Sequence, residues 1–159
     1  MKKLYLIRHG EAESKRTRPD IDRNLDDIGR KEVALTAHEM LKKHINPSLI
    51  LSSNAARAME TARIFAEVIG YKPADIVIEP DIYYTDANTL LEVLHRQNDK
   101  YDSILLAGHN PSISQLADVL SGNYNDPIST GGLVAFESDS GSWNLFEEEK
   151  VKFLFKIYP

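Results

Sequence analysis

Short apolar runs alternate along this chain with segments whose apolar residues recur every three or four positions, and no other feature constrains the fold as much. The runs are Leu4 to Ile7, Leu49 to Leu51, Ile76 to Ile78, Ile104 to Ala107, Leu133 to Phe136 and Val151 to Ile157. Nearly continuous apolar strands are those of a parallel sheet covered on both faces. Between the runs, Ala55, Ala58, Met59, Ala62, Phe65, Ala66 and Ile69 make one stripe of a helix that Gly70 would end. Similar stripes run through Val33, Ala37, Met40 and Leu41, through Ala87, Leu90, Leu91 and Leu94, and through Ile113, Leu116, Ala117 and Leu120. The pattern predicts an α/β fold, a three-layer α/β/α sandwich with a mostly parallel central sheet. Lys152 and Lys156 interrupt the last run, which suits an antiparallel C-terminal edge strand paired with Leu133 to Phe136.

With 159 residues, 42% of them hydrophobic, the expectation is one domain over 1–159. Nineteen basic against twenty-four acidic residues leave a net charge of −5, which gives no general attraction to nucleic acid or to an anionic membrane. Any site for an anion must therefore be local. The chain has no cysteine, so disulfides and thiol nucleophiles are excluded, which fits a reducing compartment. The first apolar run stops at Arg8, too short for a signal-peptide core or a membrane span, and a soluble cytoplasmic protein is expected.

In open α/β sheets, ligands gather outside the carboxyl ends of the strands. Arg8, His9 and Gly10 stand at the exit of the first strand, and Gly108, His109, Asn110 and Pro111 at the exit of the strand Ile104 to Ala107. Asn110 as an N-cap and Pro111 at the first helical position account for that turn, but not for His109. Arg57 lies near the N-terminus of the Ala55 to Ile69 helix and off its apolar stripe. A solvated surface arginine is the plain reading, yet a cation at that end of a helix dipole is unfavourable and hints at an anionic partner. Two arginines and two histidines leaving three strands have the composition of a phosphoryl pocket, since guanidinium forks match phosphate oxygens.

Through Arg8-His9-Gly10, Arg57 and Gly108-His109-Asn110, in this order and spacing, the sequence resembles the histidine phosphatase superfamily, the fold shared with cofactor-dependent phosphoglycerate mutases. The segments Arg57 to Ala62 and Tyr83 to Ala87, then Leu90-Leu91 and a tail bearing Trp143, look like the SixA-type phosphohistidine phosphatases. The resemblance implies that His9 is the nucleophile, and that Arg8, Arg57 and His109, with Asn110, hold the phosphoryl group. Chemistry agrees: a neutral imidazole, with an ordinary pKa of about 6.5, is available near neutral pH, and fixed donors stabilise the charge spread over a loose transition state.

An alcohol leaves as a strong base unless an acid protonates it, and relatives supply a glutamate or aspartate between the arginine segment and the second histidine. Here that region reads Pro80 to Ala87 with no matching glutamate. Asp86 is the nearest proton donor, but it stands where a helix N-cap is expected, and the cap is the favoured reading. Without an acid the substrate should carry a good leaving group, and a protonated phosphohistidine releases imidazole. The expected function is therefore a phosphatase that works through a phosphohistidine intermediate on phosphohistidine in a protein, such as a phosphotransfer domain. The alternatives are a broad small-molecule phosphomonoesterase and a non-catalytic phospho-dependent binding module, against which the presence of both His9 and His109 argues. No cofactor is expected. His9, His109, Asp20, Asp22, Asp26 and Asp27 lack a metal-ligand spacing, and paired arginines repel a cation, so no metal is expected either. Ser14, Lys15, Arg16 and Arg18 read as a solvated loop face, and His38, His44 and His95 carry no expected catalysis.

Overall fold

The computed structural model describes residues 1–122, 125–147 and 151–159. Its centre is a six-stranded sheet of order β3-β2-β4-β1-β5-β6, built from β1 (Lys2–Arg8), β2 (Leu49–Ser52), β3 (Val77–Ile78), β4 (Ser103–Gly108), β5 (Leu133–Ser138) and β6 (Val151–Ile157). β1, β2, β3 and β4 pair in parallel. β5 pairs antiparallel with both β1 and β6, so the expected C-terminal hairpin forms, with a register irregularity at Ala135 and Phe136. The Ile76 to Ile78 run yields only the two residues of β3, because Ile76 closes a 3-10 turn over Pro73–Asp75.

Four helices cover the sheet: α1 (Asp27–Lys42), α2 (Ala56–Ile69), α3 (Ala87–His95) and α4 (Ser112–Ser121). Side chains of a strand point alternately to opposite faces, and the core divides accordingly. Tyr5, Ile7, Ile50 and Leu105 pack with Val33, Met40, Phe65 and Ile69 of α1 and α2. Leu4, Leu6, Leu51 and Leu106 pack on the other face with Leu90, Leu94, Ile113 and Leu116 of α3 and α4. The layers are thus α1/α2, sheet, α3/α4. Gly70 ends α2 in the left-handed conformation that its lack of a Cβ permits. Lys2 is buried, its ammonium donating to the Tyr101 carbonyl at 2.9 Å and lying over the Trp143 ring. Among the described residues no helix is long and apolar enough to cross a membrane.

The parallel strands β1, β2 and β4 lie side by side, so their carboxyl ends open at one edge of the sheet. Backbone bonds fix these exits relative to one another: His9 N–H donates to Gly108 O at 3.1 Å, and Ser53 N–H to Ala107 O at 3.1 Å.

Candidate active site

At this edge lies a cavity of about 730 Å³, whose lining includes Arg8, His9, Arg57, His109 and Asn110. The rings of His9 and His109 are 5.0 Å apart. All five residues expected to form the phosphoryl pocket are therefore brought together.

His9 Nδ1 is 2.7 Å from the carbonyl oxygen of Gly10. A carbonyl only accepts, so Nδ1 carries the proton and Nε2 keeps its lone pair in the neutral ring. Arg57 Nε–H donates to that Nε2 at 3.3 Å. Burial pushes the His9 pKa down to about 4; the Gly10 carbonyl opposes this, while the charges of Arg57, Arg8 and Arg23 add to it. His9 is neutral at neutral pH as a result.

His109 is 8% exposed, and its Nε2 lies 2.8 Å from Ser53 Oγ. Ser53 Oγ already accepts the N–H of Ala55 at 3.1 Å, and among the described residues its own proton has no acceptor other than His109 Nε2. This arrangement places the His109 proton on Nδ1. Burial, then His9 and Arg57, push its pKa down to about 3, against an opposing effect of Asp20.

Arg57 is not a solvated surface residue: it is 6% exposed and is the second residue of α2. Its Nη1 donates to Asp20 O at 2.7 Å and its Nη2 to Asp20 Oδ2 at 3.1 Å. Asp20 is the anionic partner that the position in the helix dipole demanded. The Tyr83 hydroxyl donates to the same oxygen at 2.6 Å, and Arg23 holds Oδ1 at 3.0 Å. The Tyr83 bond, then Arg57 and Arg23, keep the Asp20 carboxyl well below the usual carboxylate range. Sequence reasoning placed Asp20 only among acids without a metal spacing; its signal was an unpaired arginine facing an acid-rich loop. Ser53 and Tyr83 gave none, since a hydroxyl is a common solvated group.

Asn110 does not cap α4. Its side-chain N–H donates to Ile128 O at 2.9 Å and its oxygen accepts from Ser114 at 2.6 Å, while Pro111 takes the N-cap position. Asp86 accepts the N–H of Thr89 at 2.8 Å as the N-cap of α3, and it is not among the residues lining the cavity. That bond lowers its pKa, the reverse of what a proton donor at neutral pH needs. Of Ser14, Lys15, Arg16 and Arg18 only Lys15 lines the cavity, and Arg18 pairs with Glu13 at 3.0 Å. Among the described residues no three histidine, aspartate or glutamate side chains gather as a metal site requires.

Two buried nitrogens of lining residues, Arg8 Nε and His109 Nδ1, have no hydrogen-bond partner among the described residues. Buried polar atoms are nearly always paired, so two unpaired nitrogens beside the lone pair of His9 Nε2 are groups that a ligand in the cavity could satisfy. The arrangement can accept a tetrahedral oxyanion at His9 Nε2 and surround it with fixed donors.

Known proteins share this fold. An uncharacterized chloroplastic protein of Arabidopsis thaliana is 32% identical over 130 residues, 76% of this chain; the match spans 60% of that relative's length. The solved SixA protein of Agrobacterium tumefaciens has the same fold, with a TM-score of 0.85 at 24% identity over 99% of this chain and 98% of its own. The protein histidine phosphatase SixA complexed with tungstate superposes with a TM-score of 0.83 at 19% identity, over 98% and 96% of the two chains. The family model of the histidine phosphatase superfamily (branch 1) matches residues 4–102, a span that contains Arg8, His9 and Arg57, and the chain belongs to that superfamily.

Proposed function

We propose that residues 1–159 form a single metal-independent phosphohistidine phosphatase, with His9 as nucleophile and with Arg8, Arg57, His109 and Asn110 around the phosphoryl group. The observation that carries this reading is the tautomer of His9. Its Nδ1–H is committed to Gly10 O, so the lone pair of Nε2 faces the donors that would hold a phosphoryl group. In the first step Nε2 attacks phosphorus and the bond from phosphorus to the leaving atom breaks. In the second, water attacks phosphorus, inorganic phosphate departs and His9 returns to its neutral form.

The leaving group decides between an ester and a phosphoramidate. Asp86 is turned into a helix cap, and Asp20 is half-exposed and ionised by its three partners. Glu11, the other carboxylate of the cavity, is exposed. Asp20 lacks the apolar burial that keeps a carboxyl protonated for acid catalysis. The pKa of Tyr83 is raised, first by its bond to Asp20, which makes it a poorer acid. A phosphohistidine needs no donor from the enzyme: protonated on its free ring nitrogen, it leaves as neutral imidazole. The solved SixA relative that carries tungstate, an oxyanion of phosphate shape, supports the same reading. The substrate is then a phosphohistidine on a protein surface, such as that of a phosphotransfer domain, and a reducing cytoplasm suits a chain with no thiol.

The test is a panel of a phosphohistidine protein, a phosphoserine peptide and sugar phosphates, with wild type and His9→Ala. Hydrolysis of the phosphohistidine protein well above the esters is expected, with an acid-labile phosphoenzyme that His9→Ala abolishes. Equal or faster ester hydrolysis would move the assignment to a phosphomonoesterase, labelling that survives His9→Ala would remove His9 as nucleophile, and phosphate binding without any turnover would leave a binding module.

A further inference from the structure

Tyr84 is the least economical residue of the cavity. It is 94% exposed, the most exposed large hydrophobic residue among the described residues. Its φ is +53°, the left-handed region in which a Cβ crowds the backbone and where a bulky aromatic is rare. Packing does not explain the conformation, because a side chain this exposed buries almost nothing. Local turn chemistry does not explain it either, since glycine or asparagine serves a left-handed position without strain. What the conformation achieves is placement. Tyr84 lines the cavity beside Tyr83, their rings 6.1 Å apart, and Tyr83 in turn stands edge-on to His109 at 5.6 Å. A ring projecting into solvent at the mouth of a phosphoryl pocket offers an open π-face to whatever group the phosphorus carries. Strain kept at such a place is characteristic of functional sites.

We infer that Tyr84 is a specificity-determining residue, an aromatic platform on which the planar ring of the leaving group stacks while its phosphoryl group lies between His9, Arg57 and His109. The inference deepens the phosphohistidine reading and rests on it for the identity of the ring, imidazole. Rings stack on an aromatic face with useful energy whatever their substituents, and a protonated imidazole adds attraction to the π-cloud. A linear alcohol or amine gains little from the same surface.

Two pairs of ligands that differ in their ring test this. N-phosphoimidazole and phosphoramidate both break a P–N bond, but only the first releases a ring. Tyr84→Ala is expected to raise KM for N-phosphoimidazole about three- to tenfold and leave KM for phosphoramidate unchanged, with Tyr84→Phe close to wild type. Tyr84→Gly should share the defect while melting at a higher temperature than wild type, because glycine relieves the strain; a purely structural tyrosine would not separate the two. Phenylphosphonate and methylphosphonate, inert at their P–C bonds, give the same comparison by calorimetry without turnover. Wild type should favour phenylphosphonate, and Tyr84→Ala should abolish that preference. If neither P–N compound is hydrolysed but the phosphonate preference depends on Tyr84, the platform stands and the phosphohistidine reading falls. No phosphonate preference in wild type, or equal losses on both members of each pair, overturns the platform.

Discussion

A histidine that donates Nδ1–H to a carbonyl has only Nε2 left for chemistry, and in His9 that nitrogen is held unprotonated by burial and three nearby guanidinium groups. The proposed reaction requires the lone pair, so kcat/KM should fall as pH drops through about 4, where His9 takes up its proton, rather than near the ordinary histidine value. Phosphate release, corrected for acid hydrolysis of the substrate, measures that limb; a limb near 6.5 would mean that His9 is not buried as described. In the proposed site Ser53 would act through His109. Ser53→Ala frees His109 to adopt the other tautomer and should lower kcat/KM about 10- to 100-fold, less than loss of a direct donor. Nitrogen chemical shifts of His109 should report the change, and Ser53→Thr should restore it. At this scale the gathering of Arg8, His9, Arg57 and His109 at one cavity was legible because strand exits are where ligands bind and because their side chains have few reasons to cluster there. Ser53 and Asp20 were not, since their roles exist only through a partner that folding brings from elsewhere in the chain.

Between β1 and α1 the charged stretch that sequence treats as an irregular loop is a structural part of the site. Glu60 of α2 accepts the N–H of Leu25 at 3.0 Å and pairs with Arg30 at 2.7 Å, and Asp26 caps α1 through the Gly29 N–H. Gly10 and Gly29 then meet so closely that a Cβ on Gly10 would stand 2.5 Å from Gly29 O. Gly10→Ala should therefore displace the loop, weaken the Asp20 contacts with Arg57 and Tyr83, and cost about 1–3 kcal/mol, visible in the urea midpoint together with a raised KM. Helices and parallel strands were readable from periodicity, since apolar spacing is a local property. The loop was not, because its order comes from pairings to α2 and to a second glycine.

For the molecule as a whole, the cluster of neutral rings has a thermodynamic cost. His9 and His109 titrate at about 4 and about 3 when folded and near 6.5 when unfolded. Between these values the unfolded chain binds more protons, so stability should be complete above about 6.5 and decline as pH falls towards 4. Denaturant unfolding across that window should show a smaller decline in His109→Gln, which removes one of the two groups. The two-faced core was foreseeable from alternation along the strands, whereas burial of Lys2 under Trp143 was not, because its ammonium is satisfied there by carbonyls and a carboxylate from a distant turn.

The seam between the two cores carries a further consequence. His9 and Arg57 reach the cavity from β1 and α2, and His109 and Asn110 from β4 and the turn before α4, so one bound oxyanion would bolt together elements that pack on opposite faces of the sheet. Such a bolt works by mass action, so inorganic phosphate at a hundred times its Kd should add about 2.7 kcal/mol and sharpen melting into a more concerted event. In a crowded cell, the chain's resistance to proteases would then rise and fall with the supply of phosphate, the product of the proposed reaction.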